Sequence, residues 1–175
     1  MLAHCAVSYA GPAGDAGLYP LIDMTAARLQ IARQVALAKW DTNQPVEDLP
    51  REAKVIEATV EEARALGVPT KLATHFFSDQ IEANKLVQYG LLARWRLMGH
   101  APHERRANLA AEIRPHLDII QKSLISALAD TNVLRAQSDC RLKLAQATQK
   151  YVSTHAFDPL YAIAMDRALA RVCEP

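Results

Sequence analysis

Four polar side chains stand where helical periodicity calls for apolar ones. Arg28 lies on the stripe Leu21, Met24, Arg28, Ile31, Val35, Ala38. Lys39 follows eleven residues later. Eleven steps of a helix return to within about 20° of the same face, about 16 Å farther along the axis. Asn84 and Gln88, one turn apart, interrupt a second seam of Phe77, Ile81, Leu91 and Trp95. Taken singly, each has a structural explanation. An arginine on such a stripe snorkels to solvent, and an Asn or Gln sets register. Together, two cations and two amides on inward faces must be satisfied by something, because burying them unpaired costs several kcal/mol. They point to a polar pocket inside a helical bundle, where bundles place ligand sites.

Cys140 and Cys173 lie 33 positions apart, and their midpoint falls at Ala156/Phe157. That midpoint is a predicted turn between two helices. In an antiparallel hairpin, residues equidistant from the turn face each other, so the pair could close the open end as a disulfide. The chain-entropy model assigns about 4 kcal/mol to a loop of this length, and a disulfide implies an oxidising compartment. Two buried free thiols are the alternative. Cys5 is left over. His100 and His103 share a short loop without the carboxylate or thiolate neighbours of a metal centre, so no metal is expected. The sequence carries no phosphate loop, nucleophile elbow or dinucleotide fingerprint.

These residues sit in a chain of 175, half of it apolar and 22% charged. With a net charge of only +1, such a composition excludes general disorder. Charges interrupt every apolar run before the ~18 residues of a membrane helix, so no membrane partner is expected. Twenty basic and nineteen acidic residues leave no electrostatic footprint for nucleic acid. Six Gly and nine Pro are too few for a turn-rich all-β protein. Residues 1–17 read as a flexible tail. The stretch lacks the basic and long apolar regions of an intact signal peptide, and could be the remnant of one.

No strand alternation or hairpin signal appears, and apolar residues recur at three and four. A first helix opens around Pro20 and runs to about Asp41, where Gln44-Pro45 breaks the chain. Asp48 caps a second, with Pro50 in its first turn and Gly67 at its end. Thr70 caps a long third helix to about Met98, followed by Gly99. A polar connection, 101–106, leads to a fourth over 108–130. In it Pro115 demands either a late start or a kink. Two more helices follow, near 138–153 and 158–173. The expectation is an all-α, single-domain bundle of about six helices around a long central one. The domain would span 18–175, with 132–175 a C-terminal helical hairpin.

Arg28-Leu-Gln-Ile-Ala, Val35-Ala-Leu-Ala-Lys39-Trp40 and Val46-Glu-Asp48-Leu-Pro-Arg51-Glu52 stand in order along the first two helices and their loop. Phe76-Phe77-Ser-Asp-Gln80-Ile81-Glu-Ala-Asn84-Lys-Leu-Val-Gln88 continues the pattern. In order and spacing these segments resemble the all-helical chorismate mutases, over about Leu18 to Cys173. The C-terminal extension with its paired cysteines is similar to the exported branch of that family. The resemblance implies a chorismate mutase II-like fold and an isomerase of the shikimate pathway to aromatic amino acids. It implies chorismate as the small-molecule substrate, no cofactor, no metal, and a periplasmic or secreted location. It leaves a homodimer open. Short intracellular members build each site from two chains. Longer exported ones resemble a single-chain version in which an Arg of the fourth helix replaces the partner's, by position Arg114 here.

The chemistry that this implies suits the residue types. Chorismate rearranges to prephenate in one pericyclic step, without proton transfer or covalent intermediate. Help comes from holding the compact conformer and from donors at the ether oxygen, which gains negative charge. The resemblance implies that Arg28 and Arg114 clamp carboxylates, that Lys39 bridges the ether oxygen and a carboxylate, and that Gln88 donates to the ether oxygen. Arg51, the Asp48 backbone and Glu52 would order the loop and meet the ring hydroxyl. Asn84, where the family often has Ser or Thr, would contact the ring carboxylate. Gln88 does not titrate, and Arg28, Arg51 and Arg114 are expected to stay charged. Two rivals are an isochorismate pyruvate lyase-like enzyme and a non-catalytic helical binding protein on the same scaffold. Chain length and the paired cysteines speak against the first, and the intact set Arg28, Lys39, Arg51 and Gln88 against the second.

Overall fold

The computed structural model describes residues 17–174. Cys5 and all of the expected N-terminal tail except Gly17 lie outside the described residues. Helix α1 (Leu18–Thr42) starts two residues before Pro20, which sits in the first turn, where its missing N–H would have had no partner. The helix ends at Asn43, in the left-handed region at φ 51°. There the Gln44 N–H closes on the Lys39 carbonyl at 3.2 Å, leaving Pro45 outside the helix. One apolar stripe does not describe α1. Ile22, Leu29 and Ala36 are fully buried, as are Leu21 and Leu37, whereas Met24, Ile31 and Ala38 are half-buried. The helix packs against α3, α4, α6 and α7, so it buries more than one flank and its periodicity is blurred.

Helix α2 (Leu49–Ala65) begins with a reciprocal cap. The Asp48 carboxylate accepts from the Arg51 N–H (3.2 Å), and the Glu52 carboxylate accepts from the Asp48 N–H (3.1 Å). Pro50 occupies the first turn without loss. Gly67 (φ 77°) turns the chain into α3 (Thr70–Met98), which is 29 residues and about 43 Å long. Thr70 does not cap α3 as the sequence suggests. It is the first helical residue, and Pro69 precedes it with no side-chain cap bond.

Interactions advance together along α1 and α3: Thr25 with Gln80, Arg28 with Asn84, Trp40 with Trp95. The two long helices therefore run parallel, and α2 returns between their ends. Trp40 and Trp95 meet edge to face at 6.1 Å, with the Arg33 guanidinium 5.9 Å from the centre of the Trp95 ring.

The connection to the fourth helix is tied to α1 by ion pairs of Arg33 with Glu104 and of Arg106 with Asp41. Pro115 brings neither a late start nor a simple kink. Residues Leu109–Ile113 form one π-helical turn, and α4 (Arg114–Asp130) continues from it. The Asn108 side chain caps that turn by accepting from the Ala110 and Ala111 N–H groups, while Glu112 reaches back to the Asn108 N–H. The Ile113 N–H bonds five residues back, to the Asn108 carbonyl. The wide turn has a physical cause. In α geometry the Pro115 ring would clash with the Ala111 carbonyl, and it has no N–H to offer it.

A one-turn helix, α5 (Asn132–Arg135), lies where the sequence suggests only a link, so the described residues form seven α-helices rather than about six. Helix α6 (Cys140–Thr154) and α7 (Pro159–Leu169) follow, and Cys140 and Cys173 are joined as a disulfide with Cα atoms 5.8 Å apart. Helix α7 stops four residues short of the expected end and packs antiparallel to α3. Gly90 permits that approach: a Cβ there would lie 2.6 Å from Leu160 Cδ2. Past the end of α7 the chain turns, and Arg171 reaches the fully buried Asp79, which Arg167 also engages. A buried carboxylate held by two guanidiniums ties α7 and the turn after it to α3.

Candidate active site

Helices α1 to α4 and the α1–α2 loop line an open-sided cavity of about 790 Å³. Its wall takes Arg28 and Lys39 from α1, Asp48, Arg51 and Glu52 from the start of α2, Asn84 and Gln88 from α3, and Arg114 from α4. The eight residues singled out in the sequence thus face one space within one chain. Val35, Val55, Ile81 and Leu117 supply apolar wall between them. Five polar residues of the wall escape the sequence reading: Gln44 and Glu47 in the α1–α2 loop, Lys85 beside Asn84, and Asp118 and Gln121, one and two turns along α4 from Arg114. The helical interval from Arg114 could have found the last two.

Each side chain is placed by its element. The parallel register of α1 and α3 sets Asn84 beside Arg28, and the Asn84 amide donates to the Arg28 backbone carbonyl at 3.1 Å. Gln88 donates to Asn84 Oδ1 at 2.8 Å. Lys39, in the last turn of α1, reaches over the following loop to the Val46 carbonyl, with Nζ at 2.6 Å. Glu52 divides its oxygens between the Asp48 N–H (3.1 Å) and Lys85 Nζ (3.2 Å). The π turn sets the rotation at which Arg114 enters α4. His100 and His103 stack on each other at 6.5 Å in the α3–α4 connection and are not part of the cavity wall.

The wall carries five cations, Arg28, Lys39, Arg51, Lys85 and Arg114, against four carboxylates, Glu47, Asp48, Glu52 and Asp118. Two of the carboxylates, Glu47 and Glu52, are engaged by Lys85. Arg28 is 7% exposed, and its Nε has no partner. Burial pushes its pKa down to about 10, with Asp118 opposing the shift and Arg51 adding to it. The guanidinium therefore titrates below its ordinary range, yet it remains charged at neutral pH. Burial also lowers the Lys39 ammonium from its ordinary value, against the pull of Asp48 and Glu52. For Lys85, burial works against the charge, but hydrogen bonds to Glu82 and Glu52 carry it above the ordinary value.

Among the described residues lining the cavity there is no Ser, Thr, Cys or His. Those lining residues therefore offer no hydroxyl, thiol or imidazole to act as nucleophile or base. The wall offers cations in excess of carboxylates, with amides and apolar residues between them, which suits binding a small anion and stabilising negative charge as it develops.

A helical bundle whose cavity is lined by five cations against four carboxylates belongs to the class of all-helical proteins with a pocket suited to a small anionic molecule. The family model for chorismate mutase type II matches residues 20–89. A solved chorismate mutase from Burkholderia phymatum is 43% identical and superimposes with a TM-score of 0.90, covering 94% of this chain and 100% of that one. One from Burkholderia thailandensis is 37% identical at a TM-score of 0.87, covering 91% and 100%. A secreted chorismate mutase of Mycobacterium tuberculosis is 27% identical over 92% of this chain and 80% of its own length. The chain belongs to the type II chorismate mutase family, all-helical isomerases. No described helix is long and apolar enough to cross a membrane.

Proposed function

We propose that the protein binds chorismate in this cavity and rearranges it to prephenate. Arg28 and Arg114 hold the two carboxylates through paired N–H donors. Lys39 meets the ether oxygen and a carboxylate from one side, and the second amide hydrogen of Gln88 meets the ether oxygen from the other. Asn84 keeps one amide hydrogen for the ring carboxylate. Arg51, the Asp48 backbone and Glu52, whose oxygens retain free lone pairs, meet the ring hydroxyl. Rate acceleration comes from selecting the compact conformer and from donors aimed where negative charge grows, each such donor contributing about 10²–10³-fold.

One observation carries this reading: the eight residues face a single cavity, with the buried Arg28 guanidinium on its wall and its Nε unpartnered. The test is to follow loss of chorismate absorbance and identify the product. Prephenate supports the assignment. Absence of turnover, or release of pyruvate from isochorismate instead, overturns it.

The Cys140–Cys173 disulfide and the secreted mycobacterial relative support a periplasmic or extracellular site of action. Fractionation of the source cells tests this, and protein confined to the cytoplasm would refute it. One chain supplies all eight residues, so a homodimer is not needed to complete the cavity.

A further inference from the structure

Lys85 lies one position after Asn84 and three before Gln88, at the edge of the α3 seam that faces the cavity. Its side chain is 9% exposed, and its ammonium has carboxylates around it: Glu82 at 2.7 Å, Glu52 at 3.2 Å and Glu47 at 3.8 Å. Glu82 belongs to the same helix. Glu47 and Glu52 belong to the segment that enters α2. Because the other oxygen of Glu52 takes the Asp48 N–H, one ammonium on α3 holds the whole first turn of α2. The same segment presents the Val46 carbonyl to Lys39.

An apolar residue would wall the cavity at this position without the desolvation that a buried charge brings, so the ion cluster calls for a functional reason. We propose that Lys85 is a positioning residue of the substrate cavity, acting through Glu52: it holds the α2 N-terminus against α3 and cancels a carboxylate that would otherwise face a dianionic substrate. This rests on the mutase reading above. Without Lys85 the wall would carry four cations against four carboxylates, and Glu52, only 18% exposed in its side chain, would lose its ammonium partner. A charge facing the cavity acts on bound substrate and transition state alike. Its effect therefore falls on KM more than on kcat.

The test is a double-mutant cycle on the full chain: kcat and KM for chorismate in the parent, K85M, E52Q and K85M/E52Q, with K85R as the charge-restoring variant. In the Glu52 background K85M should raise KM about tenfold, with kcat changed much less. In the E52Q background the same substitution should raise KM by no more than about twofold, because the uncompensated carboxylate is gone. K85R should recover most of the loss. A packing role alone would raise KM equally in both backgrounds, and that result, or an unchanged KM in K85M, overturns the proposal. If K85M does not fold, K85Q enters the same cycle with the same expectations. A parent protein that does not consume chorismate overturns the mutase reading itself. Turnover by the parent with no Lys85–Glu52 coupling overturns only the role of Lys85.

Discussion

Gln88 donates its amide hydrogen to Asn84 Oδ1 at 2.8 Å, and Asn84 in turn donates to the backbone carbonyl of Arg28 at 3.1 Å. The direction of this chain is set at its far end. A backbone carbonyl can only accept, so Asn84 must turn its NH₂ to Arg28 and its oxygen to Gln88, which must then present its own NH₂. Gln88 is 4% exposed and keeps a second N–H, while its Oε1 is buried without a partner.

The orientation predicts the behaviour of Gln88→Glu. A carboxylate there would face Asn84 Oδ1 with no hydrogen to give, so only the protonated acid can replace the amide. Burial raises a carboxyl pKa. The variant should be most active in acid and lose kcat as pH rises through that pKa, whereas the parent should have a flat kcat from about pH 5 to 9. A kcat profile of both proteins in one buffer series is the measurement. A variant with no acid preference would remove Gln88 from the role of ether-oxygen donor.

Lys39→Ala should lower kcat about 10²–10³-fold, the loss expected for one donor to a developing oxyanion. The side chain is half-buried and, among the described residues, bonds only the Val46 carbonyl, so circular dichroism should show a folded protein. A folded variant with near-parent kcat would sink the mechanism.

The parent's kcat/KM should fall on the alkaline side. Burial lowers the Lys39 ammonium and pushes Arg28 down to about 10. On giving up a proton each loses its positive charge, though not all of its N–H donors, so kcat/KM declines as pH rises through these lowered pKa values. Bound dianion favours the charged forms, so kcat should hold to higher pH than kcat/KM. Coincident alkaline limbs for the two parameters would contradict this.

Tyr151 on α6 donates its hydroxyl to Asp23 of α1 at 2.8 Å. Burial, with Asp23 adding to it, holds the phenol pKa up to about 12. An unfolded tyrosine titrates near ~10, so this contribution is fully present below about pH 10 and is lost as pH rises towards 12. Tyr151→Phe should be less stable by about 1 kcal/mol at pH 7. The difference should narrow above pH 10, as read by denaturant titrations across the range. A difference that stays constant would show that the hydrogen bond is not its source.

Mass analysis under non-reducing conditions should find Cys140 joined to Cys173. Reduction should lower stability by about 4 kcal/mol. Turnover should persist where the reduced protein stays folded, because neither cysteine lines the cavity. Loss of turnover in a folded, reduced protein would place the α6–α7 end in the working of the site.

Much of the cavity was legible before any fold was known, for a local reason. Arg28, Lys39, Asn84 and Gln88 betray themselves because helical periodicity is a property of neighbouring residues, and a polar side chain on an apolar stripe stands out against it. The Asp48 cap and the mirror spacing of Cys140 and Cys173 are local in the same sense. The rest depends on which helices meet. Lys85 beside a seam looks like the start of a solvated face until α2 brings Glu47 and Glu52 to it. Asp118 and Gln121 look like surface residues until α4 lies over Arg28. Asp79 reads as solvated until α7 and the turn after it deliver Arg167 and Arg171 from about ninety residues away. The rotation of Arg114 follows from how the chain accommodates Pro115, with a π turn where either a late start or a kink would satisfy local rules. Sequence alone determined which residues prefer the inside of a helical bundle. Only tertiary structure decided which charges would find one another there, because pairing energy depends on distance and burial, and neither is set by spacing along one chain.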